Sequence, residues 1–227
     1  METGSTSFSL MELFRLGGVF MWPLLLFSVA VIAISLERAI YLAYHNLRMD
    51  DLKTVLMDYI REGDLSRARE YLSPLVQQRM GARILLTLID SCNLGEHRME
   101  RAVETQALSC INSLENGLSF LTALGSISPL TGFLGTVSGM IGAFRSISEA
   151  AEVNAQIVAN GIYEALITTV FGLIIAIIAM ICHSIFTHVV DNFSADVEQT
   201  CSDLITEITA PQALKGQIRE MRFHDDH

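Results

Sequence analysis

Residues 116–144 read NGLSFLTALGSISPLTGFLGTVSGMIGAF, a run between Glu115 and Arg145 that holds no charged side chain. A helix rises about 1.5 Å per residue and the hydrocarbon layer of a bilayer is about 30 Å thick, so about 20 such residues suffice to cross it. On either side of this run lie two more windows of the same kind. Residues 16–36 are uncharged between Arg15 and Glu37, and residues 165–190 contain no Asp, Glu, Lys or Arg before Asp191. A hydrophobic content of 51% and a mean hydropathy of +0.41 fit this reading better than a soluble globule. The expected fold is an all-α membrane protein with three transmembrane helices, the second and third long enough to extend into the cytoplasm.

The first window lacks a basic leader, exceeds the apolar length of a secretory signal and ends in Leu36-Glu37-Arg38 without a small-residue cleavage site, so it reads as a retained span. Basic residues near the membrane set the orientation. Nine lie between the first two spans, from Arg48 to Arg101, and Lys215, Arg219 and Arg222 follow the third, whereas the other side holds Arg15 and Arg145. This bias predicts a periplasmic N-terminus and a cytoplasmic C-terminus. The net charge of −10, with acids interleaved among bases, argues against nucleic acid. Cys92, Cys110, Cys182 and Cys201 form no C-x-x-C pair and read as reduced packing residues.

The chain then divides as follows: 1–15, an outer-side amphipathic segment with Phe8, Met11 and Phe14 at helical spacing; 16–44, the first span; 45–115, a helical cytoplasmic domain; 116–146, the second span; 147–162, a short periplasmic connection; 163–190, the third span; and 191–227, a cytoplasmic helical tail. Gly17-Gly18 permits a bend into the first span. In the cytoplasmic domain Asp50 is expected to cap one helix that Gly63 ends, Asp64 to cap a second that Pro74 stops, and a third to run from about Gln77 to Ser91. An apolar stripe from Met99 to Leu121 suggests one helix running from Glu96 straight into span two. A similar stripe from Phe186 to Ile208 continues span three until Pro211.

Lipid offers little hydrophobic drive for helices to associate, so small residues must permit close backbone approach. Span two supplies Gly125, Gly132, Gly135, Gly139 and Gly142; span three supplies Ala165, Thr169, Gly172, Ala176 and Ala179. Gly132, Gly135, Gly139, Gly172 and Ala176 are the principal packing candidates. Thr122, Ser126, Ser128, Thr131, Thr136 and Ser138 in span two, with Thr168 and Thr169 in span three, are more hydroxyls than a lipid-facing anchor needs. Each such contact averages only about 0.6 kcal/mol, so a narrow, partly wet pathway explains their number better than stability does. Glu164 stands at the outer edge of span three, where an ionisable group is either functional or a helix-start carboxylate. Arg145 and Glu149 are spaced for an i,i+4 pair. No Asp, Glu or Lys lies near the middle of any span, so any proton acceptor halfway across has to come from a partner helix.

Three motifs resemble the ExbB/TolQ/MotA proton-channel family: Gly18-Val-Phe-Met-Trp-Pro-Leu-Leu25 with Leu36-Glu-Arg38, the run from Ser126 to Gly139, and Gly161-Ile-Tyr-Glu-Ala-Leu-Ile-Thr-Thr169 followed by Gly172-Leu-Ile-Ile-Ala-Ile177. Three spans with the large loop between the first two are similar to the ExbB or TolQ branch; the flagellar branch has four. The resemblance implies a homo-pentamer whose second and third spans surround the single spans of ExbD- or TolR-like subunits, and an output through a TonB- or TolA-like protein. It also implies pore roles for Thr136 and Thr169 and a third-span glutamate at Glu164, with the proton-accepting aspartate on the partner; Thr168 joins them as a pathway candidate. Where the family usually has a proline in span three this chain has Ile178, so the local shape is expected to differ.

The function expected from these readings is the proton-channel subunit of an inner-membrane motor of ExbB type energising outer-membrane transport. The alternatives are a TolQ-like subunit for envelope maintenance, or a scaffold that conducts nothing. No enzyme is expected: His45, His97 and the loop acids form no metal spacing, nucleophile motif or phosphate-binding loop, and neither cofactor nor metal is implied.

Overall fold

A computed structural model describes residues 17–149 and 155–225, excepting the side chains of 155, 157–158, 160, 164 and 211–225. The amphipathic segment 1–15 lies outside the described residues. Seven α-helices are found among the described residues: α1 Met21–Tyr44, α2 Asp50–Glu62, α3 Leu65–Leu72, α4 Met80–Ser91, α5 Glu96–Glu115, α6 Leu118–Glu149 and α7 Ala155–Asp225. Short 3-10 turns, Ser73–Leu75 and Cys92–Leu94, follow α3 and α4. Three helical stretches are long and apolar enough to cross a membrane, in Met21–Tyr44, Glu96–Glu149 and Gly161–Ala210. The chain forms two compact units, one from residues up to Arg38 with Gly117–Phe186, the other from Ala39–Asn116 with residues from Thr187 onward.

In the first unit the chain enters α1 through Gly18, whose φ of 65° suits glycine. Met21, Leu24, Val31 and Arg38 make the buried stripe of α1, while Trp22, Leu26, Val29 and Leu36 stay largely exposed. Apolar side chains also cover the outer faces of α6 and α7, Phe133, Ile141, Leu166 and Val170 among them. Such a surface fits hydrocarbon or other membrane helices, not water.

The continuous helix expected from Glu96 through span two is interrupted. Asn116 turns to ψ 128° and Gly117 takes φ +89°, so α5 ends and α6 begins after a two-residue joint. Asn-Gly is a turn dipeptide, and the unbroken apolar stripe masked it. Gly117 is needed for a second reason: a Cβ there would sit 3.3 Å from Nε of Arg38. Arg38 as a whole is only 8% exposed, and its guanidinium donates to Glu37 through Nε at 2.6 Å and Nη2 at 2.8 Å. Two further expectations are revised. The helix does not end at Pro211, because proline's φ is helical and the loss is one backbone bond; it runs to Asp225. The connection at 147–162 is shorter than read, since α6 reaches Glu149 and α7 starts at Ala155. Ile178 keeps its N–H, and α7 passes through it as regular helix.

The second unit is built on a core of Leu52, Leu56, Leu72, Ile84, Leu85, Leu88, Leu114, Phe193 and Leu204 with their neighbours. Gly63 ends α2 at φ 77°, its N–H donating to the Ile60 carbonyl while that of Asp64 reaches Tyr59. Asp64 then caps α3, its Oδ1 accepting from the Arg67 N–H at 3.1 Å. Asp64→Ala removes that acceptor, and a loss of about 1 kcal/mol is expected, read as a Tm lower by a few degrees in the detergent-solubilised protein. Asp50 is not a cap. The buried Met49 already has αR geometry, so the helix starts one residue earlier than a capping Asp50 would set it. The third helix begins at Met80, after Pro74 is absorbed in the 3-10 turn. Lys53–Asp203 at 2.6 Å, Arg61–Glu207 at 3.2 Å and Arg69–Asp90 at 3.1 Å tie its surface together.

All four cysteines are free thiols. Burial pushes the Cys92 thiol up and that of Cys201 to about 12, so little of either is thiolate near neutral pH. A maleimide is expected to leave both unmodified in the folded protein and to label them after denaturation, which peptide mass spectrometry reads directly.

Candidate functional site

The membrane unit is organised by one antiparallel seam between α6 and α7. From α6 it takes Gly125, Ser128, Gly132, Gly135, Gly139 and Ala143, and from α7 Gly161, Ala165, Thr168, Gly172, Ala176 and Ala179. Steps of three and four on both helices keep one face in contact throughout. The approach is closest in the middle. A Cβ on Gly172 would lie 2.6 Å from the Ser128 carbonyl oxygen, and one on Gly132 would lie 2.8 Å from that of Thr168. Those neighbours are backbone, which cannot rotate away. A Cβ on Gly139 would lie 3.1 Å from the Gly161 carbonyl oxygen and 3.3 Å from the Ala165 Cβ, while one on Gly135 would strike the Thr168 side chain. Gly142 has nothing within 4 Å and stands outside the seam.

The two threonines of α7 part company here. Thr168 is fully buried, filling the pit that Gly132 and Gly135 leave, and donates to the Ala165 carbonyl at 2.8 Å with the Gly132 carbonyl at 3.3 Å. Thr169 is half-buried and reaches the same Gly132 oxygen at 3.3 Å. The packed row of α7 therefore runs through Thr168, where the sequence had suggested Thr169, because the glycines opposite select the residue that fits between them. Thr136 on α6 is also half-buried and donates to the Phe133 carbonyl at 2.6 Å. Glu164 belongs to α7, but its side chain is outside the described residues. Arg145 and Glu149 form their pair at 2.9 Å on an exposed turn, where it adds little stability.

Every described hydroxyl bond in α6 turns inward on its own helix. Thr122, Ser126 and Thr131 donate to the carbonyl four residues earlier, and so does Ser128, to Leu124 at 2.6 Å. Ser128 lies next to Pro129, whose missing N–H leaves the Gly125 carbonyl without its helical donor. Gly125, Ser128, Ala143 and Gly161 belong to the seam although they were not picked out as its main contacts; their 3–4 spacing relative to Gly132 and Gly172 carries the signal. Among the described residues no group of three or more His, Cys, Asp or Glu side chains could hold a metal ion. The site thus offers tight apposition, hydroxyl oxygens at the margin of the seam and no carboxylate at mid-depth.

This chain belongs to the MotA/TolQ/ExbB proton channel family, whose pattern it matches over residues 71–199. An ExbB-like biopolymer transport protein of Synechocystis sp. is 31% identical over 175 residues, covering 76% of this chain and 68% of that one. The biopolymer transport protein ExbB of Pseudomonas putida is 31% identical over 122 residues, 54% of this chain and 36% of its own length. The Tol-Pal system protein TolQ of Haemophilus influenzae is 40% identical over 99 residues, 44% of this chain and 42% of its own length. Membership in this family and three apolar spanning helices make the chain an inner-membrane protein.

Proposed function

We propose that this chain is the ring-forming, non-enzymatic subunit of a proton-driven motor, five copies enclosing the single spans of ExbD- or TolR-like subunits. One observation carries the reading: the spans hold hydroxyls beside a glycine seam yet no Asp, Glu or Lys near mid-depth, so the group that takes up and releases the proton has to arrive on another helix. Thr136 and Thr169 are half-buried at the edge of the seam, where their hydroxyls can solvate that group. Glu164 sets the field at the outer entrance, and Thr168 holds the seam against which Thr169 is placed. A charge moving through the membrane potential releases about 2.3 kcal/mol per 100 mV, so a few protons suffice to turn or shift the enclosed helices.

The basic-residue bias supports a periplasmic N-terminus with the second unit in the cytoplasm. The output passes to a TonB-like protein energising outer-membrane transport. A TolQ-like role, passing force to a TolA-like protein, is favoured by the 40% identity to the Haemophilus TolQ. The test is proton flux into vesicles holding a pH-sensitive dye. Flux is expected when this chain is reconstituted with its single-span partner and not when it is reconstituted alone. Absence of flux in both preparations would leave a membrane scaffold.

A further inference from the structure

The second unit carries a groove of about 450 Å³ between α5 and α7. Its floor is apolar, made by Val103, Ala107 and Ile111 opposite Val197 and Ile205, and its rim is acidic, with Glu96, Glu100 and Glu104 on α5 and Glu198 on α7. Three observations set it apart from ordinary surface. The acids Glu96, Glu100 and Glu104 stack at i, i+4 and i+8 on one helix, a like-charge spacing that opposes helix formation. Among the described residues none of the four rim glutamates has an ion-pair partner, whereas Lys53, Arg61, Arg67, Arg69 and Arg79 of the same unit each have an acidic one. Leu108, which overhangs the groove, is 54% exposed; beyond the end of α1, it and Leu94 are the large apolar side chains this unit leaves uncovered among the described residues.

We infer that this groove receives the Lys/Arg-bearing segment next to the span of the single-span partner, apolar side chains on the floor and basic ones among the glutamates. The occupant follows from charge. A helix crossing the membrane beside this chain carries its basic residues on the cytoplasmic flank, and the orientation argued above puts the second unit on that side. A metal ion is a poor alternative, since no three of these acids converge on one point. A second copy of this chain is the other occupant to be separated, because Arg98 and Arg101 lie on the neighbouring face of α5. The inference rests on the partner named in the proposed function, and it adds a contact outside the membrane.

The experiment uses the full-length chain co-expressed with the ExbD/TolR-like protein of the same genome, with a photo-crosslinking phenylalanine analogue at position 108. Cross-linked peptides from the basic flank of the partner are expected. In a second arm, the triple variant Glu100→Gln, Glu104→Gln, Glu198→Gln, all at exposed sites, should retain about tenfold less partner on salt washing while its own Tm is no lower, since the like-charge stack on α5 is relieved. Position 108 linked only to another copy of this chain, or undiminished partner retention in the triple variant, overturns the groove assignment while co-purification keeps the proposed function standing. Failure of any single-span protein to co-purify with the unsubstituted chain overturns both.

Discussion

Gly172→Ala is expected to disable the protein although it adds a single methyl group. The new Cβ would sit 2.6 Å from the Ser128 carbonyl oxygen and 3.3 Å from the Gly132 Cα, so α6 and α7 must separate along the closest part of their seam. Overpacking of this kind costs about 1–3 kcal/mol, and in lipid no hydrophobic drive restores the contact. Thr168 then loses its fit between Gly132 and Gly135, and Thr169 its reach to the Gly132 oxygen. Gly132→Ala meets backbone in the same way, at 2.8 Å from the Thr168 oxygen, and should behave alike. Gly142→Ala is the control, because nothing lies within 4 Å of its Cβ position. The readouts are the Tm of the purified protein and proton-driven activity in cells. Gly172→Ala with an unchanged Tm and full activity would contradict the seam as described.

Replacing Thr136 and Thr169 together by Val is expected to stop proton-driven work while leaving the fold in place. Valine keeps the branched shape of threonine and removes the hydroxyl. The structural loss is small, since the Thr136 bond goes to its own helix and the Thr169 bond across the seam is 3.3 Å long. The functional loss is large if these oxygens hand on or solvate the proton; proton transfer by a positioned group contributes about a hundredfold or more. Flux into dye-loaded vesicles should fall by that order with the complex still assembled, as size-exclusion chromatography would report. Thr168→Val, by contrast, should lower Tm more than flux, because that hydroxyl is enclosed within one chain.

Much of this architecture is legible in the residues. The three spans follow from uninterrupted apolar length, and Gly63-Asp64 announces a helix stop and start that the structure places on those two residues. The glycine spacing on span two marks the face that meets α7. Three features lay beyond such reading. The break at Asn116-Gly117 was hidden because leucines and isoleucines on both sides keep the helical period across it. Whether Thr168 or Thr169 enters the seam depends on which of two adjacent residues the crossing helix accommodates, and periodicity cannot choose between neighbours 100° apart. Arg38 looked like the polar end of a span, yet it is buried against Gly117, a contact set by tertiary packing.

The inward-turned hydroxyls of α6 bear on the order in which the complex is put together. In the proposed motor, an alcohol whose proton is committed to a carbonyl one turn back gives no ready relay to water, so the subunit without its partner is expected to insulate. On the same proposal, insertion ahead of the partner leaves the membrane sealed, and proton flow is expected to start when an arriving carboxylate competes for those hydroxyl protons.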